Sequence, residues 1–381
     1  MYNLKKEYIM KKNMTNENVV RITSDKLCLN DDWRNAYERY AKAITSKKIL
    51  FDEAAKFLKK TFPYRKLGLL RIYFSIAQSQ NPSIECDLRI LGQSVGTLCV
   101  KKNKHGEFNL SLKISSEKAK HNKEYLNIET KANPPRKPYA WDSEEARKIW
   151  NVFVNFKGEN TKTHSDEHRL ETLVLSDLAK GHISDGKVMT SIQPVMLGSI
   201  GFFQMRTPLS ASNHKIADYP KYSMREDGAA CGGGIDILAR IVHKKEVGWR
   251  LVIIELKDQN KKSEPQPEVM QQALVYATFI AHLLRDKESG NLWYNIFRDQ
   301  KEDKFLDEKK ELKIDVISMM PPIPYNKKGK PLYEEGEMDP ISVPNIPNVT
   351  LYPHTVYIDA DLQKFKIKNV NGTLIDDKKE W

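Results

Sequence analysis

Apolar positions in the first part of the chain recur mostly at helical spacing. DDWRNAYERYAKAITS (31–46) predicts a helix with Asp31 or Asp32 near its cap. FDEAAKFLKKTF (51–62) and YRKLGLLRIYFSIAQ (64–78) read as two more helices. The pattern then changes: GQSVGTLCVKKNKHGEFNLSLKI (92–114) alternates apolar and polar residues and turns at KHG, as a hairpin does. The first 20 or so residues read as frayed. KANPPRKPYAWD (131–142) carries three prolines and predicts a boundary near residue 135. The expected division is a smaller mixed α+β domain over 1–135 and a larger domain over 136–381, the latter ending in a C-terminal extension.

The second part opens with two amphipathic helices, SEEARKIWNVFVNF (143–156) and SDEHRLETLVLSDLAKG (165–181). In the latter, Ser165 or Asp166 is placed to cap and Gly181 to close. A region rich in glycine and proline follows to residue 233, with IQPVMLGSIGFFQMRT (192–207) long enough for one or two strands. Two strongly apolar runs, GIDILARIV and WRLVIIELK, flank HKKEVG and predict a hairpin. PEVMQQALVYATFIAHLLRD (267–286) is a mostly apolar helix, ELKIDVISMMPP (311–322) a strand ended by proline, and TLYPHTVYIDADLQKFKI (350–367) a late strand or hairpin. No internal repeat is visible.

Composition narrows the picture less than the pattern does. The 381 residues include 62 Lys and Arg against 50 Asp and Glu, a net charge of +12 that favours polyanionic partners. No run of 18 apolar residues predicts a membrane span, and the N-terminus has no apolar core for a secretory signal, so the expected location is cytoplasmic. Cys28, Cys86, Cys99 and Cys231 lie far apart with no CxxC, which reads as scattered buried thiols rather than a metal site or disulfide set. No G-x-S-x-G, H-E-x-x-H or P-loop is present.

The hairpin holds the chemistry. With its turn centred near Glu246, Asp236 faces a position close to 256 on the second strand. Glu255 and Lys257, two residues apart, share one face there. Two carboxylates and an ammonium thus meet at one end of a hairpin. Buried carboxylates repel unless a cation or proton lies between them. The plain alternative is a cross-strand ion pair on a solvated face, worth a few tenths to about 1 kcal/mol. Ile253, Ile254 and Leu256 around Glu255 argue for a strand covered on at least one face. In the 165–181 helix, Glu171 projects between Val174 and Leu175, near the middle of the apolar face. A carboxylate has no reason to be there without a cation or donor. Glu167, one turn earlier on the same side, is the reserve. In the later helix Gln272 and Tyr276 are spaced i, i+4 and share a face.

Asp236 in GGGID and Glu255-Leu256-Lys257 resemble the metal-binding aspartate and the (D/E)XK element of the PD-(D/E)XK nuclease superfamily. QALVY, holding Gln272 and Tyr276, is similar to the Gln-x-x-x-Tyr element of its RecB-like members. Glu171 fits the glutamate those proteins often carry in the first core helix. The resemblance covers roughly residues 145–322. It implies an α/β, restriction-endonuclease-like core with a central mixed sheet flanked by helices, preceded by the smaller α+β N-terminal domain. It also implies Mg²⁺, with Mn²⁺ as substitute, held by Asp236, Glu255 and Glu171, with Lys257 beside the attacking water and Gln272 and Tyr276 completing the catalytic set. Gln204, Arg206 and His214 are candidates to approach a phosphate, and DQNKKSEPQPE (258–268) to form a rim against a nucleic-acid backbone. The expected activity is divalent-metal-dependent phosphodiester hydrolysis, a DNA endonuclease first. Cutting both strands of a duplex would take two active sites or rebinding, which brings a homodimer into view. The alternative is a non-catalytic nucleic-acid-binding or interaction protein on the same scaffold.

Overall fold

The computed structural model describes residues 15–61, 68–75, 83–130, 137–158, 165–180, 192–197, 201–211, 223–224, 234–242, 249–258, 264–298, 306–325, 327–331, 336, 338–360 and 365–371. Two helices lead, α1 (Asn16–Leu29) and α2 (Asp31–Thr61). The Thr15 side chain caps α1 by accepting from the Asn18 amide. α2 runs unbroken through the expected gap between 46 and 51, where TSKKIL offers no Gly or Pro to stop it. Strands β1 (Leu70–Ser75), β2 (Ser83–Ile90), β3 (Gln93–Lys102) and β4 (Phe108–Lys113) follow, then α3 (Ser116–Leu126), β5 (Tyr139–Ala140) and α4 (Glu144–Asn155).

The helix expected over 64–78 is corrected: its described part, Leu70–Ser75, is a strand. Leu70, Ile72 and Phe74 alternate into the core while Tyr73 faces the other way, a period of two. β1 is held between β2, antiparallel, and a strand 130 residues further on, parallel. The expected hairpin over 92–114 is β3–β4, its turn tied by the Asn103 side chain accepting from the His105 and Glu107 amides.

The chain continues through α5 (Asp166–Lys180), β6 (Ile192–Pro194), β7 (Met196–Leu197), β8 (Gly201–Gln204), β9 (Leu209–Ser210), β10 (Ser223–Met224), β11 (Ile237–Val242) and β12 (Trp249–Leu256). Then come α6 (Gln266–Arg285), α7 (Gly290–Arg298), β13 (Leu312–Met320), β14 (Ile341–Ser342), β15 (Val349–Ala360) and β16 (Phe365–Asn371). The front sheet has the order β5-β4-β3-β2-β1-β8-β7. The main sheet has the order β14-β15-β13-β12-β11-β6, with β16 also on β15. β12–β13 and β13–β15 are parallel and the other main-sheet pairs antiparallel, so the fold holds a central mixed β-sheet flanked by helices.

Helices cover both faces of that sheet. Leu170, Val174, Leu175 and Leu178 of α5 cluster with Ile237, Ile254 and Leu256. Leu251 and Ile253, on the opposite face, belong to the core that holds the apolar residues of α6. The expected division near residue 135 falls between segments that share a sheet and a core. β8 pairs with β1, α1 packs on α6, and Tyr40 of α2 donates to the Arg206 carbonyl. Among the described residues no helix is long and apolar enough to cross a membrane.

Candidate active site

β11 and β12 pair with Ile237 opposite Ile254, so the next residue outward, Asp236, comes level with Glu255. The Asp236 carboxylate is fixed there, Oδ2 accepting from the Leu256 amide at 2.8 Å. Glu255 and Lys257 project from the same strand face, and Lys257 Nζ donates to Glu255 Oε1 at 2.7 Å. Both are buried, and Leu256 between them packs with the apolar residues of α5.

α5 brings the remaining acids. Ser165 caps it, accepting from the His168 amide, which sets the helical phase of Glu167 and Glu171. Glu167 Oε1 lies 3.6 Å from Lys257 Nζ. Glu171 is 2% exposed, and its Oε1 lies 3.4 Å from Arg89 NH1. Arg89 was not foreseen. Its NH2 donates to Gln204 Oε1 at 2.9 Å and its Nε to Asp87 Oδ2 at 2.8 Å, with the guanidinium 4.4 Å from the Tyr73 ring centre.

The α6 pair is held apart from this centre. Gln272 Nε2 donates to Glu264 Oε1 at 2.7 Å, and Glu264 acts electrostatically on Lys257 and Glu255. The Tyr276 hydroxyl accepts from the Ala211 amide at 3.2 Å, tying α6 to the segment after β9. The structure therefore joins Glu255 and Lys257 directly, Asp236 through the Leu256 amide and by charge, and Glu171 by charge alone. It links Gln272 only through Glu264 and turns the Tyr276 hydroxyl to backbone. Of the phosphate candidates, Gln204 is bound to Arg89, the Arg206 charge acts on Glu171, and His214 lies outside the described residues, as do 259–263 of the expected rim.

Among the described residues the charges do not balance. Glu167, Glu171, Asp236, Glu255 and Glu264 face Lys257, Arg89 and, more remotely, Arg206. Burial pushes the Glu171 carboxyl up to about 7, Arg89 opposing and Glu167 and Asp87 adding to the rise. Burial first, then Glu255, holds Asp236 well above the usual carboxylate range. Glu255 is raised by burial against the pull of Lys257. Burial works against the charge on Lys257, but Glu255, Asp236 and Glu167 outweigh it and raise its pKa. Removing positive charge would worsen the imbalance and adding it would relieve it.

The available donors are carboxylate oxygens, the chemistry a hard divalent cation prefers. Asp236 and Glu255 are its nearest pair, with Glu171 and Glu167 behind. Among the described residues no three His, Cys, Asp or Glu side chains converge closely enough to hold a metal ion. Lys257 instead occupies the space near Glu255 and Glu167. No local pattern points to Arg89. In SIECDLRI the apolar residues Ile84, Cys86, Leu88 and Ile90 define one face, so Arg89 reads as solvated, whereas α5 covers that polar face. Comparison of the chain with family models, with curated proteins and with solved structures finds no match.

Proposed function

We propose that this chain is a divalent-cation-dependent phosphodiesterase acting on nucleic acid, DNA first, with a restriction-endonuclease-like core in its main sheet. The observation that carries the reading is the buried excess of carboxylates at one end of the β11–β12 hairpin, with Lys257 among them. Asp236 and Glu255 would be the cation's nearest carboxylates, water completing its shell, with Glu171 and Glu167 standing behind them. A bound Mg²⁺ or Mn²⁺ supplies positive charge that lowers the pKa of water and offsets charge on phosphate oxygens.

The chain's own groups do the rest. The Leu256 amide fixes the Asp236 rotamer, so this carboxylate is already ordered. Lys257 orients the attacking water and neutralises charge that grows on the phosphate. The water oxygen bonds to phosphorus as its proton passes to solvent, the bond to the 3′ oxygen breaks, and that oxygen takes a proton from solvent. Gln272 holds Glu264 at the rim, and Tyr276 steadies the backbone at Ala211. The net charge of +12 suits a polyanionic substrate.

The second reading is a non-catalytic nucleic-acid-binding or interaction protein. The contact between Lys257 and Glu255 favours it, since a structural ion pair would look the same. Cleavage of labelled circular single- and double-stranded DNA with Mg²⁺ or Mn²⁺ separates the two. The nuclease reading expects cutting that EDTA abolishes and that Asp236→Ala and Lys257→Ala each lower by about a hundred- to a thousandfold or more. DNA binding without cutting supports the second reading.

A further inference from the structure

We infer that the outer end of the β3–β4 hairpin and the last turns of α2 form an anchoring surface for the phosphate backbone of DNA, apart from the candidate active site. The inference rests on the nucleic-acid part of the reading above and requires no bound cation.

The surface forms where a core face runs out. Leu98 and Val100 of β3 and Leu110 and Leu112 of β4 share a core with Phe51 and Leu58 of α2. One step further out on the same sheet face, Lys102 pairs with Phe108. Phe57 of α2 closes the core there, its ring centre 6.2 Å from that of Phe108. Lys102 Nζ stands 5.7 Å from the centre of the Phe108 ring, so an aromatic face holds this ammonium at an exposed position. Around it Lys56, Lys59 and Lys60 of α2 and Lys101 and Lys104 of the hairpin are also exposed. The neighbouring acids are engaged: Glu53 with Lys56 at 2.9 Å, Asp52 with Lys48 at 3.0 Å, and Glu107 with Asn103 Nδ2 at 2.9 Å. Glu85, across β2, accepts from Cys99 Sγ. Among the described residues no carboxylate pairs with Lys59, Lys60, Lys101, Lys102 or Lys104.

Two structural reasons for surface lysines cover only part of this set. The C-terminal dipole of α2 explains Lys59 and Lys60. Protection of a sheet edge does not explain Lys101 and Lys102, because β3 is paired on both sides, Lys101 with Ser83 of β2 and with Asn109 of β4. What remains is uncompensated positive charge brought together from two elements, which a polyanion complements. Phe57 and Phe108 are packed against the core and against each other, which leaves charge rather than base stacking or bilayer insertion as the means of attachment. β2 carries Ser83 beside Lys101 at this end and Arg89 at the other, about 20 Å of extended strand away. The lysines thus hold DNA at a distance from the reacting phosphate.

The test is binding of a short fluorescein-labelled DNA duplex to the full-length protein in EDTA, read by fluorescence anisotropy over a range of salt, with circular dichroism to confirm folding. The triple variant Lys60→Ala, Lys102→Ala, Lys104→Ala is expected to weaken binding about 100-fold at low salt, equally for unrelated sequences, and to reduce the slope of log K against log salt by about 3. A second triple variant, Lys287→Ala, Lys309→Ala, Lys310→Ala, removes the same charge from exposed positions after α6 and before β13. It should bind within about twofold of wild type, because salt confines each charge to its surroundings. Wild-type affinity and slope in the first variant would overturn the inference, as would equal losses in both, and so would a wild type that binds no duplex. If the first variant does not fold, Lys104→Ala alone decides: a slope reduced by about 1 sustains the inference and an unchanged slope overturns it. Binding lost in the first variant, with no Mg²⁺-dependent cutting by wild type, sustains the anchor and sinks the phosphodiesterase reading. Cutting by wild type, with duplex binding indifferent to these lysines, does the reverse.

Discussion

Strand β12 carries a buried charged cluster at each end, and the two are built on opposite accounts. At its start, Arg250 NH2 donates to Asp315 Oδ1 at 2.8 Å, His354 Nε2 bonds the same oxygen at 2.9 Å, and Tyr352 lies under the guanidinium. One carboxylate meets one guanidinium and one imidazole, so acids are not in excess there. At its end, Glu255 and Glu167 contact Lys257 and Asp236 acts on it, with Glu171 beyond them beside Arg89, the next cation. Among the described residues the acids are in excess there, and burial raises Glu171, Asp236 and Glu255. Burial of charge is common to both ends and so marks nothing. An uncompensated sign of charge is what distinguishes a place that can take up a ligand from a place that only holds strands together.

Removing an acid should therefore have opposite consequences at the two ends. Asp315→Asn removes the carboxylate that Arg250 and His354 share and is expected to cost about 3–5 kcal/mol in denaturant unfolding. Its response to Mn²⁺ should stay that of wild type. A loss near zero would break the contrast.

Glu171→Gln tests the other end through pH. A carboxyl with a raised folded pKa keeps its proton where the unfolded chain has lost it. Stability therefore falls as pH rises from the ordinary value of 4.5 to about 7. In metal-free buffer the wild type should lose about 3 kcal/mol relative to Glu171→Gln across that window. Stability curves for the two proteins that run parallel from pH 4.5 to 7 would show that Glu171 is not in a charge-poor site. Gly92→Ala gives the smallest effect. Gly92 has φ +84° and no room for a Cβ against α5, so about 1–3 kcal/mol is expected, together with weaker Mn²⁺ binding as Glu171 shifts. Unchanged Mn²⁺ affinity in a destabilised Gly92→Ala protein would separate the packing of α5 from the site.

Local pattern revealed what local forces determine. A turn expected within HKKEVG lets the register be counted from sequence, and β11–β12 pair so that Asp236 comes level with Glu255. Helical phase was enough to put Glu171 on the covered side of α5. What escaped depends on pairing between distant segments. LRIYFS looked helical because its apolar residues are dense, yet β1 is a strand through β8, whose residues lie beyond residue 200. Arg89 enters the site for the same reason, since only the docking of the front sheet on α5 turns its polar face inward. Gln272 and Tyr276 lie on α6 as expected, but their partners, Glu264 and the Ala211 amide, come from loops whose course no periodicity reveals.

Thermal unfolding at pH 7 with and without Mn²⁺, in wild type, Asp236→Asn and Asp315→Asn, tests the central claim without needing a substrate. A cation that binds only the folded state at a hundredfold its Kd adds about 2.7 kcal/mol. The excess-acid account predicts that Mn²⁺ stabilises wild type and Asp315→Asn and leaves Asp236→Asn unmoved. No stabilisation of wild type, or equal stabilisation of Asp236→Asn, would contradict it.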